Sequence, residues 1–153
     1  MTADHDISVL NSLITTTIDS ADGFERSAED AAAARFVDFF REFAGERRQV
    51  VARLQQAVRS LGGSPADDGS LTALLHRRWV DLRSAISGGG GDKAIIEEVE
   101  RGEDHLKSKY DEALADTRLN PATTAAIRAA YESVRAGHDR ASAYKHSMAS
   151  TAV

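Results

Sequence analysis

Residues 95–114, IIEEVERGEDHLKSKYDEAL, decide how this chain is read. Val99, Glu103, Leu106 and Tyr110 recur at helical spacing, so one face of a helix carries an apolar stripe with a carboxylate set inside it. Asp104 and His105 fall off that stripe. A carboxylate aimed at a core needs a hydrogen bond, a cation or a metal, because an unpaired buried charge is costly.

Working outward, the same periodicity predicts three more long helices and one shorter one. The first spans about 6–29, with Ile7, Leu10, Ile14, Ile18, Ala21, Phe24 and Ala28 on its stripe and Thr17 near the centre of that face. Its LITTTI segment also admits a strand reading, since threonine is a poor helix former. The second spans about 33–61 and turns Phe36, Phe39, Phe40, Phe43, Val50, Leu54, Ala57, Val58 and Leu61 inward. Leu61-Gly62-Gly63-Ser64-Pro65 ends it with a glycine cap and a proline stop. Nothing between Glu29 and Ala34 separates the first two helices by chemistry. A break with Asp30 as N-cap is placed there, because a single helix of that length is exceptional in a small domain.

Ser70 can cap a crossover helix over about 70–86, and Gly88–Gly91 then break the chain before Asp92, the expected N-cap of the central helix over 92–116. Asn120-Pro121 opens the last helix, about 121–146, whose inner face takes Ile127, Ala130, Tyr131, Val134, His138 and Ala141. Residues 147–153 read as a flexible tail. No internal repeat is evident. The expectation is an all-α, single-domain bundle over 1–146, with a long helical connection that makes the second and third helices parallel, the one-crossover topology of ferritin-like folds.

Composition agrees and limits function. The chain has 153 residues, 6% aromatics, two prolines and no cysteine, which removes disulfides and thiol chemistry. Net charge of −5 argues against a general nucleic-acid surface, and no apolar run approaches a membrane span. The N-terminus lacks an apolar leader, so the expected location is the cytoplasm. Charge alternates by helix: residues 1–30 carry one Arg against seven acids, 31–91 nine Arg against six, 92–116 four Lys/Arg against nine, and 117–153 five against two. Such helices complement one another inside one bundle, or across a two-fold contact in a homodimer.

Carboxylate-bridged dimetal bundles set two Glu and two Glu-x-x-His motifs inward at one level. The matches are partial: Glu46 with Gln49 in place of His, His138 with Arg135 in place of Glu, and Glu103. Counting residues along the helices puts Glu46, Glu103 and His138 at one level, a candidate site for iron or manganese. Glu25 lies about 10 Å off it at the helical rise, and Thr17 holds the position a ligand would need. The competing reading is plain polar pairing in the core, with Glu46 held by an arginine. A second candidate, His76-Arg77-Arg78-Trp79, could take an anion or a partner helix, or simply pack Trp79 over the bundle. No nucleophile–base set, P-loop or dinucleotide fingerprint is present.

The order ISVLNSLI, D-x-x-x-G-F, GER at Glu46, LGGSPADDGSL, LHRRWVDL and ERGED resembles a bacterial family of small ferritin-like four-helix-bundle proteins of unknown function. The resemblance implies the fold and a cytoplasmic setting and brings no catalytic residue. The leading expectation is a non-enzymatic bundle acting through protein contacts, with stress physiology as its setting. The alternative is a metal-binding ferritin-like protein with a degenerate site.

Overall fold

The computed structural model describes residues 3–69 and 91–151, and these form four helices and their connections. They are α1 (Asp4–Asp30), α2 (Ala34–Ser60), α3 (Gly91–Leu114) and α4 (Pro121–Thr151). LITTTI is helical, with the Thr17 hydroxyl donating to the Leu13 carbonyl one turn back at 2.6 Å. The crossover helix expected over 70–86 lies outside the described residues, as do His76, Arg77 and Trp79. Where a tail was expected from Ser147, α4 continues to Thr151.

α1 lies beside α2 and α3, and α4 beside the same two, so α2 and α3 are diagonal partners. Contacts at the ends fix the directions. His5 near the start of α1 meets Asp116 just past α3, and Ala32 after α1 meets Asp92 at the start of α3. Glu42 early in α2 meets Arg140 late in α4. Every neighbouring pair is therefore antiparallel, and the diagonal α2 and α3 run parallel. A chain leaving α2 must travel back along the bundle to begin α3.

The start of that return is visible. Gly62 takes φ +82, and the Gly63 amide closes on the Val58 carbonyl at 3.0 Å, a glycine cap of the expected kind. The strap then follows α1. Asn11 donates to the Ser64 carbonyl and accepts from the Ala66 amide, and Gln55 donates to the Ala66 carbonyl. Those side chains satisfy strap backbone that has no sheet or helix to pair with.

The break between α1 and α2 has a cause that the sequence did not disclose. Ala31 and Ala33 are extended, and Ala33 caps α2 without a side-chain bond, so Asp30 is not the cap. The Asp92 carboxylate accepts from the Ala32 and Ala33 amides, both at 2.8 Å. Asp92 is thus no N-cap of its own helix; it sits in the first turn of α3 and caps another helix. Asp6 does the same at the opposite corner. From the first turn of α1 it accepts from the Asn120 amide and the Thr123 hydroxyl, beside the cap that Asn120 itself gives Thr123.

Asp6 and Asp92 reveal an internal two-fold correspondence that no sequence repeat shows. Some buried positions of α1 match those of α3, Leu10 with Ile96, Thr17 with Glu103 and Phe24 with Tyr110, whereas buried Ile18 falls at the level of exposed Asp104. In α2 and α4 the matches are Phe40 with Ile127, Arg47 with Val134 and Leu54 with Ala141, whereas buried Val58 falls at the level of exposed Lys145. Surface charge follows the same pattern. The acidic first helix of each hairpin pairs with the basic second one, through Arg48 with Asp22 and Glu25, and through Lys145 with Glu100.

The core falls into two halves. One is aliphatic, built on Leu10, Ile14, Leu54, Val58, Leu106 and Ile127. The other is aromatic, with Phe39 between Phe40, Phe43, Phe24 and Tyr144 at centroid distances of 5.2–5.7 Å. Between them lies a polar layer.

Candidate functional site, a buried arginine–glutamate layer

Glu103 is buried, as its place on the stripe of α3 predicts, and its partner is Arg47 of α2. The guanidinium is bidentate, with Nη2 to Oε1 at 2.7 Å and Nη1 to Oε2 at 3.1 Å. Both side chains are shut off from solvent, Arg47 fully and Glu103 to 3%. Ser20 of α1 donates to Glu103 Oε2 and accepts from Arg47 Nη1. The Ser133 and Val134 carbonyls of α4 accept from Nη2 at 3.3 and 3.4 Å. All four helices contribute to this one layer.

The guanidinium fits because α4 has no side chain in its path. A Cβ on Gly137 would stand 2.2 Å from Arg47 Nη2 and 2.8 Å from Glu103 Oε1. The Phe24 and Phe43 rings lie 5.5 and 5.7 Å from the guanidinium carbon and present their faces to the cation. Two atoms stay unsatisfied among the described residues, Arg47 Nε and Ser133 Oγ. Two turns along α3 from Glu103, Tyr110 donates its hydroxyl to Thr17 at 2.8 Å, since the Thr17 proton is committed to Leu13. Burial pushes the Tyr110 phenol up to about 12, against the smaller lowering effects of Thr17 and Arg47, so it stays a neutral donor.

The other expected site residues lie elsewhere. Glu46 is half-buried beside Arg47 but is not the residue that enters the layer, and Gln49 is exposed. Glu25 is exposed and holds Arg48 at 2.9 Å. His138 does not reach Glu103: it spans the α3–α4 seam, with Nε2 2.5 Å from Asp104 Oδ1 and Nδ1 3.3 Å from Asp139. Burial alone would lower the His138 pKa, but the bonds to Asp104 and Asp139 outweigh it and raise it. Asp104, off the stripe as expected, is thus the α3 carboxylate that meets His138.

A carboxylate-bridged metal pair does not fit these residues. Both Glu103 oxygens are committed to Arg47, whose positive charge lies where a divalent ion would have to bind. Among the described residues, no group of three or more His, Asp or Glu side chains is placed to hold a metal ion. The buried cation was nonetheless legible. Phe43 and Val50 bracket a gap on the α2 stripe, and helical spacing puts Arg47 in it.

The layer can neutralise and orient, but it presents no nucleophile or open coordination position to solvent. Among the described residues, no helix is long and apolar enough to cross a membrane. No curated protein matches the chain. Residues 5–116 match the family model described as Domain of unknown function (DUF2383), and the chain belongs to that family.

Proposed function

We propose that the chain is a ferritin-like bundle that acts through protein contacts rather than catalysis, with Arg47 standing where such bundles hold metal. The one observation that carries this reading is the bidentate Arg47–Glu103 pair at the centre of all four helices. The single return connection and the parallel diagonal of α2 and α3 support the ferritin-like kinship. A guanidinium there supplies the positive charge that buried carboxylates otherwise draw from metal ions, and it is not exchangeable.

Metal content of the purified protein tests this directly. Iron, manganese and zinc should be far below one equivalent per chain. Melting should move by no more than about 1 °C between chelator and added Mn²⁺, Fe²⁺ or Zn²⁺, since a ligand that does not bind the native state cannot stabilise it. Stoichiometric iron or manganese, or a rise of several degrees with metal, would restore the metal-binding reading. Self-association as a homodimer belongs to the same proposal. Light scattering at micromolar concentration should report twice the chain mass, and a clean monomer throughout would remove it.

A further inference from the structure

Ser133 of α4 differs from four other hydroxyls inside these helices. Thr16, Thr17, Ser27 and Ser60 each donate to the backbone carbonyl four residues back, the usual outlet for a hydroxyl in a helix. Ser133 makes no such bond. Its Oγ is shut off from solvent and has no hydrogen-bond partner among the described residues, and the same holds for Arg47 Nε. A buried polar atom left in that state is costly, so each calls for a partner.

The two atoms belong to one place. A guanidinium is a flat fork that offers its donors along two edges. Nη1 and Nη2 form the end edge, and both are spent on Glu103. Nη2 and Nε form the side edge, where their N–H bonds run side by side. That edge points at α4, since Nη2 also lies 3.3 Å from the Ser133 carbonyl oxygen and 3.4 Å from that of Val134. The Nε proton is therefore aimed at the turn of α4 that carries Ser133. Nε and Oγ do not bond one another, so the group that serves both stands between them. Glu103 already neutralises the guanidinium, and nothing at this edge calls for an anion. A neutral group of one heavy atom that both accepts and donates is water.

We propose that a single internal water sits in the α2–α4 seam, accepting from Arg47 Nε and bonded to the Ser133 hydroxyl. It ties a side chain of α4 into the layer, which that helix otherwise meets through its backbone carbonyls. Its presence does not depend on whether the bundle takes a protein partner, so the two readings fail separately.

Oxygen-17 magnetic relaxation dispersion on the full-length protein counts long-lived internal waters and is free of proton exchange with hydroxyls. Ser133→Asn is the variant to compare, because its amide oxygen reaches toward the water position and can accept from Nε directly. It should lose one long-lived water relative to the wild type. An unchanged count in folded Ser133→Asn would overturn the water site. A high-resolution crystal structure of the wild type decides the matter without any variant. A water oxygen should lie within about 3.2 Å of both Nε and Oγ. A Ser133 hydroxyl turned to the Ala129 carbonyl, with no density beside Nε, would overturn the site, and so would an anion identified there by its anomalous scattering.

Discussion

Glycine 137 is where a single methyl group decides the most. In a helix interior, Gly→Ala ordinarily stabilises by roughly 0.5–1 kcal/mol through lower backbone entropy. Gly45 and Gly102 meet nothing within 4 Å, so Ala at either position should give that gain in urea denaturation. At Gly137 the same change meets a guanidinium fixed by Glu103 and two carbonyls. Gly137→Ala should therefore destabilise by about 1–3 kcal/mol, the range for overpacked cores. Glu103→Gln keeps the shape but leaves Arg47 as a buried cation facing an amide, and should cost about 3–5 kcal/mol by the same measurement. Equal and favourable effects at all three glycines would show that the guanidinium moves aside freely. The sequence disclosed the level of this layer and one member, Glu103, but not Arg47 or Gly137. Glu46 and His138 each lie one residue from the positions that enter it, Arg47 and Gly137. One residue is a rotation of about 100° on a helix, and a histidine or glutamate attracts attention that an arginine or glycine does not.

At the scale of elements, each hairpin supplies an acid to the start of the other's second helix. Ala33 cannot cap α2 with its own side chain, so that helix start depends on Asp92, which is distant in sequence and adjacent in space. Asp92→Ala should cost about 1 kcal/mol, a typical loss for a helix cap. It should also raise hydrogen-exchange rates first at the amides that open α2. Asp6→Ala should act likewise on the opening turn of α4, leaving the Thr123 hydroxyl without its acceptor. Faster exchange confined to α3 in Asp92→Ala would show that the residue serves only its own helix. The stops at Gly62 and Asn120 were readable because glycine and Asn-Pro act locally. The break at residues 31–33 was placed from helix length alone, because the group that enforces it comes from a different helix.

For the whole molecule, ion pairs at the seams make stability depend on pH from both sides, and the two limbs have different owners. His138 joins α3 to α4 and has a raised pKa in the folded protein. Its contribution is fully present below the unfolded value of about 6.5 and is lost as pH rises through the higher folded value. Asp116 joins the end of α3 to the start of α1. Its pKa is held well below the usual range by the Arg118 side chain and backbone amide, and further by His5. The Asp116 contribution is present above the unfolded carboxylate value of about 4 and is lost as pH falls through the lower folded one. Melting temperature should therefore be highest between roughly pH 5 and 6.5, fall on the acid side below about pH 4, and step down on the alkaline side. His138→Gln should flatten the alkaline step and leave the acid limb in place, while Asp116→Asn should reduce the acid limb and spare the alkaline one. A His138→Gln profile that keeps the full alkaline step would assign that step to another group and remove the α3–α4 seam as its source.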